Sequence, residues 1–186
     1  SAERFTTLLS EKLGATVNNY GVSSSKISEI DNDSVPSFVD RIDNMDTSAD
    51  MVILFGGTND YWHKATEIGE ENSTDTSTFY GALNYCIDYL HTNYVGKEIL
   101  FVFPYNQFWS GASSDTDFGK GTLNDFRKAF LKACENHGVS VLDLYANSGM
   151  DSAHNTTHRE YFTSDGLHAN AKGQERIAEK IISFIS

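Results

Sequence analysis

The stretch Asp50-Met51-Val52-Ile53-Leu54-Phe55-Gly56-Gly57-Thr58-Asn59-Asp60 decides the fold. Met51 to Phe55 is apolar without alternation, the pattern of a strand covered on both faces in a parallel sheet. Gly56 and Gly57 then let the backbone turn sharply out of the sheet. Thr58, Asn59 and Asp60 are thereby placed at the carboxyl end of the strand, where open α/β sheets bind their ligands.

Working outward, the same rhythm recurs. Glu98-Ile99-Leu100-Phe101-Val102-Phe103, stopped by Pro104, is a second buried strand, and Val139–Leu144 a third. Helical spacing fills the intervals. Phe5, Leu8, Leu9 and Leu13 stripe a helix over 3–13 that ends at Gly14, and residues 15–20 follow as a strand. Ser34 and Pro36 open a helix with Phe38, Val39, Ile42 and Met45 inward. Phe79, Ala82, Leu83, Cys86, Ile87 and Leu90 mark another. Thr122 and Asp125 form a capping box for a helix reaching Cys134, and Ile177, Ile181, Ile182 and Ile185 stripe the last. Strands alternating with helices indicate an α/β domain with a parallel sheet.

Composition narrows the function. At roughly 150 residues per domain, 186 residues form a single domain over 1–186. Hydrophobic residues at 39% and aromatics at 12% fit a folded globule rather than a disordered acidic chain. With 14 Lys+Arg against 26 Asp+Glu the net charge is −12, which repels phosphate backbones and argues against nucleic-acid binding. The apolar runs are far too short to span a bilayer. Cys86 and Cys134 make neither a disulfide framework nor a zinc site and fall on inward helical stripes, as small buried hydrophobes do.

Two short motifs in the connections 56–76 and 145–168 carry candidate chemistry. Asn59 presents a neutral amide donor suited to a developing oxyanion, although Gly-Gly-Thr-Asn-Asp also reads as a plain β–α turn. In Asp165-Gly166-Leu167-His168 a carboxylate three residues before a histidine can accept its Nδ1–H. That bond fixes the tautomer and leaves Nε2 as a general base. An ordinary Asp-Gly turn is the alternative.

Taken together, in this order and with a helix closing the chain, the motifs resemble the SGNH (GDSL-like) hydrolase family. Gly57, Asn59 and Asp60 match its Gly-x-Asn-Asp block, and Asp165 and His168 its Asp-x-x-His block. Asn19-Tyr20-Gly21-Val22-Ser23-Ser24 falls where its Asn-x-Gly-x-x-Gly block belongs. The resemblance implies a flavodoxin-like three-layer α/β/α sandwich with a central parallel sheet, and a serine esterase without metal or organic cofactor. His168 would take the proton of the nucleophilic serine and Asp165 would orient the imidazole. Asn59 would share the oxyanion hole with backbone N–H groups of the serine and of Ser24.

The chain departs from the family pattern twice. Ser24 stands where the family has glycine, so a left-handed backbone there would be strained. No Gly-Asp-Ser nucleophile block occurs in residues 1–186. Ser1 is a poor substitute, and Ser23, Ser24 and Ser25 occupy the oxyanion block. In the family the nucleophile closes a central first strand, whose removal would leave buried backbone groups unpaired. The expectation is therefore that this first strand and its loop precede the given chain or stand elsewhere in a permuted arrangement.

Other residues invite weaker readings. Tyr61, Trp62, Tyr105, Phe108 and Trp109 either line a sugar or acyl site or cap the core beneath long loops. Asp151, His154 and His158 have a metal-like spacing, but their Asn/Thr-rich segment lacks the Glu of His-Glu-x-x-His and reads as loop histidines. His63 either touches substrate or faces solvent. The expected activity is hydrolysis of a small acyl ester, with acetylated carbohydrate preferred over long-chain lipid, in an extracellular or cell-surface setting. Two alternatives stand beside it: a non-catalytic relative binding a carbohydrate or acyl ligand, and a nucleotide binder using Gly56-Gly57. The second lacks basic partners near that turn. Acyl group, alcohol and oligomeric state are not legible.

Overall fold

In chain order the first elements of the computed structural model are α1 (Phe5–Leu13), β1 (Met51–Phe55), α2 (Thr58–Trp62), α3 (Phe79–Asn93) and β2 (Glu98–Phe103). They are followed by β3 (Phe108–Trp109), β4 (Ala112–Ser113), α4 (Leu123–His137), β5 (Ser140–Asp143), α5 (Leu144–Asn147), α6 (Thr156–Phe162) and α7 (Ala171–Ile185). The structure describes residues 4–186. The start of the first helix at residue 3, and Ser1, lie outside the described residues. Helices and a parallel sheet give the expected α/β class. The chain divides into two units, one of residues 21–104 and 117–141, the other of 1–20, 105–116 and 142–186.

The first unit is built on the quoted stretch. Strand β1 pairs in parallel with β2, Val52 opposite Ile99 and Leu54 opposite Phe101, and the sheet order is β1-β2-β5. Thr78 caps α3 by accepting the Gly81 N–H, and the stripe from Phe79 to Leu90 is fully buried. Helix α4 opens on the expected capping box, the Asp125 N–H donating to Thr122 Oγ1 and the Thr122 N–H to Asp125 Oδ2. It runs past Cys134 to His137 and ends on Gly138 in the left-handed region. The Phe130 ring of α4 lies 5.7 Å from that of Phe101 and 5.2 Å from that of Phe103, so aromatic contacts join helix to sheet. Such contacts reward the fused apolar runs that identified β2 in the sequence.

In the second unit α1 packs on α7, and the Phe5 N–H donates to Gln174 Oε1 at 2.9 Å. Asn170 caps α7 through the Lys172 and Gly173 amides. A Cβ at Gly173 would stand 2.2 Å from the Phe162 carbonyl oxygen, so α6 and α7 approach closely only because this residue has no side chain.

Two expected elements are absent. Residues 15–20 form no strand, and Val17 and Tyr20 are exposed. A strand exists only through a ladder, and among the described residues no strand pairs with this segment. Residues 34–45 form turns and a single 3₁₀ turn at Ile42–Asn44 instead of a helix. Ser37 and Asp40 exchange the bonds of a capping box, yet a single turn follows: the Ile42 amide reaches the Phe38 carbonyl and the chain tightens into the 3₁₀ turn. Asp33 accepts the Val35 N–H, Asp40 accepts the Ser37 N–H, and Ser37 Oγ accepts the Asp40 N–H. The Pro36 carbonyl is taken by Ser25 Oγ and Arg41 Nε.

The capping box yields a pH test. Hydrogen bonds from Lys128 and Thr122 hold the Asp125 carboxyl down to about 2, against 3.8 for the free group. Its folded value lies below its unfolded one, so the stabilisation is present above about pH 4 and is lost as pH falls through about 2. Urea denaturation of wild type and Asp125→Asn is expected to show a stability difference at pH 6 that shrinks steadily towards pH 2.

Candidate active site

Asp165-Gly166-Leu167-His168 forms the tight loop that its sequence suggests. Asp165 Oδ2 lies 2.7 Å from His168 Nδ1, while Oδ1 accepts the amides of Leu167 at 3.0 Å and His168 at 2.7 Å. Partial burial works to raise the Asp165 carboxyl. The bonds from the His168 amide and ring and from the Leu167 amide outweigh it and keep the group below the ordinary carboxylate value. The carboxylate therefore stays ionised at neutral pH and selects the Nδ1–H tautomer. Nε2 is left available as a base, on a ring whose side chain is 71% exposed.

The second motif lies in the other unit and is built from a buried carboxylate. Gly57 has φ 108°, a conformation that turns the chain from β1 straight into the short helix α2. A Cβ on Gly56 would stand 3.0 Å from Ile27 and Phe38, so the turn is also crowded from outside. Asp60, fully buried, accepts the amides of Ile27 at 2.9 Å and Ser28 at 3.0 Å, and the Ser28 hydroxyl at 2.6 Å. Burial raises its pKa against the lowering effect of those bonds. One residue earlier, Asn59 Nδ2 donates to the Ser25 carbonyl at 2.9 Å. A side-chain amide has two such hydrogens, and this bond uses one. Helix α2 thus grips the segment 25–28 with two consecutive side chains.

Ser24 precedes that segment. It sits in the turn closed by the Ser25 N–H on the Val22 carbonyl, with φ 65°. A turn with a left-handed third residue asks for glycine, which the family carries there, and serine is strained in it. Ser25 is buried, with its hydroxyl donating to Pro36 and accepting from Arg41.

The remaining candidates separate by burial. Tyr61 and Trp62 are core residues, edge-on to each other and tilted against Phe118, with Tyr61 also meeting Phe126 edge-on. They present no ring face to solvent, which corrects their reading as lining residues. Tyr105 is buried too, and its hydroxyl donates to the Leu167 carbonyl at 2.6 Å, so it holds backbone rather than facing a ligand. Trp109 is exposed on the β3–β4 hairpin, and His63 is exposed. His154 bridges two carboxylates, Asp115 Oδ2 at 2.6 Å and Asp151 Oδ1 at 2.8 Å, which raise its pKa, Asp115 most strongly. His158 Nδ1 accepts the Asp151 amide. Cys86 and Cys134 are buried, and burial pushes both thiols up to about 12. Sequence reasoning missed the anchoring role of Asp60, although the residue closes the motif, and missed the hydroxyl of Tyr105.

The GDSL-like Lipase/Acylhydrolase family matches residues 1–176. A crystal structure 33% identical to the chain superposes with a TM-score of 0.90, covering 98% of this chain and 84% of that one. A protein from Lactobacillus plantarum is 27% identical with a TM-score of 0.89, over 98% and 86% of the two chains. The acetyl xylan esterase AlAXEase shares the fold at 19% identity and a TM-score of 0.66, over 98% and 91%. No curated protein matches the chain.

Replacing Ser24 by glycine removes the left-handed strain. Ser24→Gly is expected to raise stability in urea by about 0.5–1 kcal/mol. A loss of stability would show that the hydroxyl, and not the backbone, decides the residue at this turn.

Proposed function

Because the chain belongs to the GDSL-like Lipase/Acylhydrolase family, we propose that it is a serine esterase acting on small acyl esters, with O-acetyl groups on carbohydrate as the first substrate class. The observation that carries this reading is the bond between Asp165 Oδ2 and His168 Nδ1 at 2.7 Å. It turns Nδ1 towards Asp165 and leaves Nε2 as the nitrogen that can take a proton.

The chemistry follows from that base. The serine Oγ attacks the ester carbonyl carbon as its proton passes to His168 Nε2. The carbonyl oxygen becomes an oxyanion, and the imidazolium is stabilised by ionised Asp165. The bond to the alcohol oxygen then breaks, and that oxygen takes the proton from Nε2. Water, deprotonated by the same Nε2, then attacks the acyl carbon, and as the bond to serine breaks the proton passes from Nε2 back to the serine Oγ and the acid is released. For the oxyanion this reading assigns the second amide hydrogen of Asn59 and the backbone N–H of Ser24, whose turn is fixed by the neighbouring bond from Asn59 to Ser25. The polar connections and the exposed Trp109 support a sugar ester over a long-chain lipid. The acetyl xylan esterase among the proteins of similar fold makes acetylated xylan the first polymer to try.

A second reading rests on one observation. Residues 1–186 contain no Gly-Asp-Ser, as a non-catalytic relative that binds a carbohydrate or acyl ligand would also show. Intact mass before and after a fluorophosphonate separates the two. The esterase gains one adduct, mapped to a serine by peptide mass, which His168→Ala abolishes. No adduct and no hydrolysis would favour the binding protein. In the esterase, Asn59→Ala is expected to lower kcat by about 10²–10³ with the fold intact by circular dichroism. Unchanged turnover would remove Asn59 from the oxyanion hole.

A further inference from the structure

We propose that Tyr105 and Ser152 are positioning residues for His168, acting through the two carbonyl groups that precede it. The inference rests on the esterase reading above. All the hydrogen bonds of Asp165 run to residues 167 and 168, so they fix the two side chains to each other and not to the protein. Packing does not hold the pair either, because the side chains of His168 and Asp165 are 71% and 41% exposed. The ends of the loop that carries them are closed by the Ser164 amide on the His168 carbonyl at 2.8 Å, which leaves the peptide units between them to be fixed.

The backbone between them supplies that hold. The Gly166 carbonyl accepts two hydrogen bonds, from Ser152 Oγ at 2.6 Å and from the Phe108 amide at 3.2 Å. The next carbonyl, that of Leu167, accepts the Tyr105 hydroxyl at 2.6 Å. The Gly166 amide donates to Thr163 Oγ1 at 2.9 Å. A Cβ at Gly166 would stand 1.9 Å from the Phe108 carbonyl oxygen, so the loop can seat here only with glycine at this position, where φ is 91°.

The holding groups are themselves immobilised. Tyr105 and Ser152 are buried, and burial raises the Tyr105 phenol, so its hydroxyl remains a donor at any working pH. Arg159 ties the parts together. Its guanidinium lies 3.6 Å over the Phe108 ring, and it donates to the Ser152 carbonyl at 2.8 Å and the Ala153 carbonyl at 3.1 Å. Rotation of either clamped peptide unit would swing the Cα–Cβ direction of His168 and carry Nε2 away, with the bond to Asp165 still intact. A misplacement of about 1 Å lowers turnover by up to ~10²-fold.

Tyr105→Phe tests this in the full chain, since it keeps the ring and removes only the hydroxyl. With p-nitrophenyl acetate, kcat is expected to fall about 10-fold and KM to stay within about twofold. Hydrogen exchange by NMR should show the Leu167 and His168 amides exchanging about 10-fold faster, with the amides of Ile181 and Phe130 unchanged. Ser152→Ala should give the same pattern at smaller amplitude, because Gly166 keeps its bond from Phe108, and it serves if Tyr105→Phe fails to fold. Unchanged kcat in both variants would overturn the proposal, as would exchange accelerated equally throughout the chain. Wild-type protein that takes no fluorophosphonate and hydrolyses no ester would instead remove the esterase reading, and this role with it.

Discussion

The carboxylate of Asp60 is the constraint on which the first unit depends. It has no access to water, yet three donors converge on it, the amides of Ile27 and Ser28 and the Ser28 hydroxyl. The two amides would otherwise be unsatisfied buried polar groups, a far worse state than the exposed alternative, while the Ser28 hydroxyl also meets Thr66 Oγ1 at 2.8 Å. The arrangement requires the chain to leave β1 through a left-handed Gly57 and to start a helix at once. Segment 25–28 and the end of a buried strand are joined by this one group, and Asn59 reaches the Ser25 carbonyl as its neighbour. A turn, a loop and a candidate donor thus share a single electrostatic cause.

The loop of His168 obeys the same rule by different means. There the exposed chemistry rests on backbone carbonyls whose partners are buried hydroxyls, Tyr105 on Leu167 and Ser152 on Gly166. Half-buried Asn59 is held by its own bond to the Ser25 carbonyl, next to the buried Asp60, whereas around exposed His168 buried polar groups occupy the peptide carbonyls that precede it and leave the ring open. This accounts for a dyad whose geometry is tight although its members face water.

How far the sequence could be read depended on how local each cause was. Strand β2 was legible because burial on both faces writes an unbroken apolar run, and β1 by the same run although it buries only Val52 and Leu54 fully and leaves Met51, Ile53 and Phe55 half-buried. Helix α4 was legible because Thr122 and Asp125 sit three residues apart. The Asp165–His168 contact was legible for the same reason, since both partners lie within one turn of chain. Residues 34–45 misled because their apolar spacing is helical and Ser37 and Asp40 do form a cap, but the helix stops after one turn. Residues 15–20 misled because a strand depends on a partner that no local pattern reports. Tyr105 and Leu167 stand 62 positions apart, so nothing in either neighbourhood announces their bond. Tyr61 and Trp62 were ambiguous because loop aromatics look alike whether they meet ligand or core, and only burial separates the cases.

The two cysteines, sealed on the inner faces of α3 and α4, have a practical corollary. With both thiols raised to about 12 by burial, almost no thiolate exists at neutral pH, and thiolate is the form that alkylates and oxidises. A cysteine introduced on the β3–β4 hairpin tip, at Ser110, would therefore be the single reactive handle of the molecule. A maleimide fluorophore could be attached there without first stripping the native sulfurs from the core, and motions of the hairpin could be followed in otherwise unaltered protein.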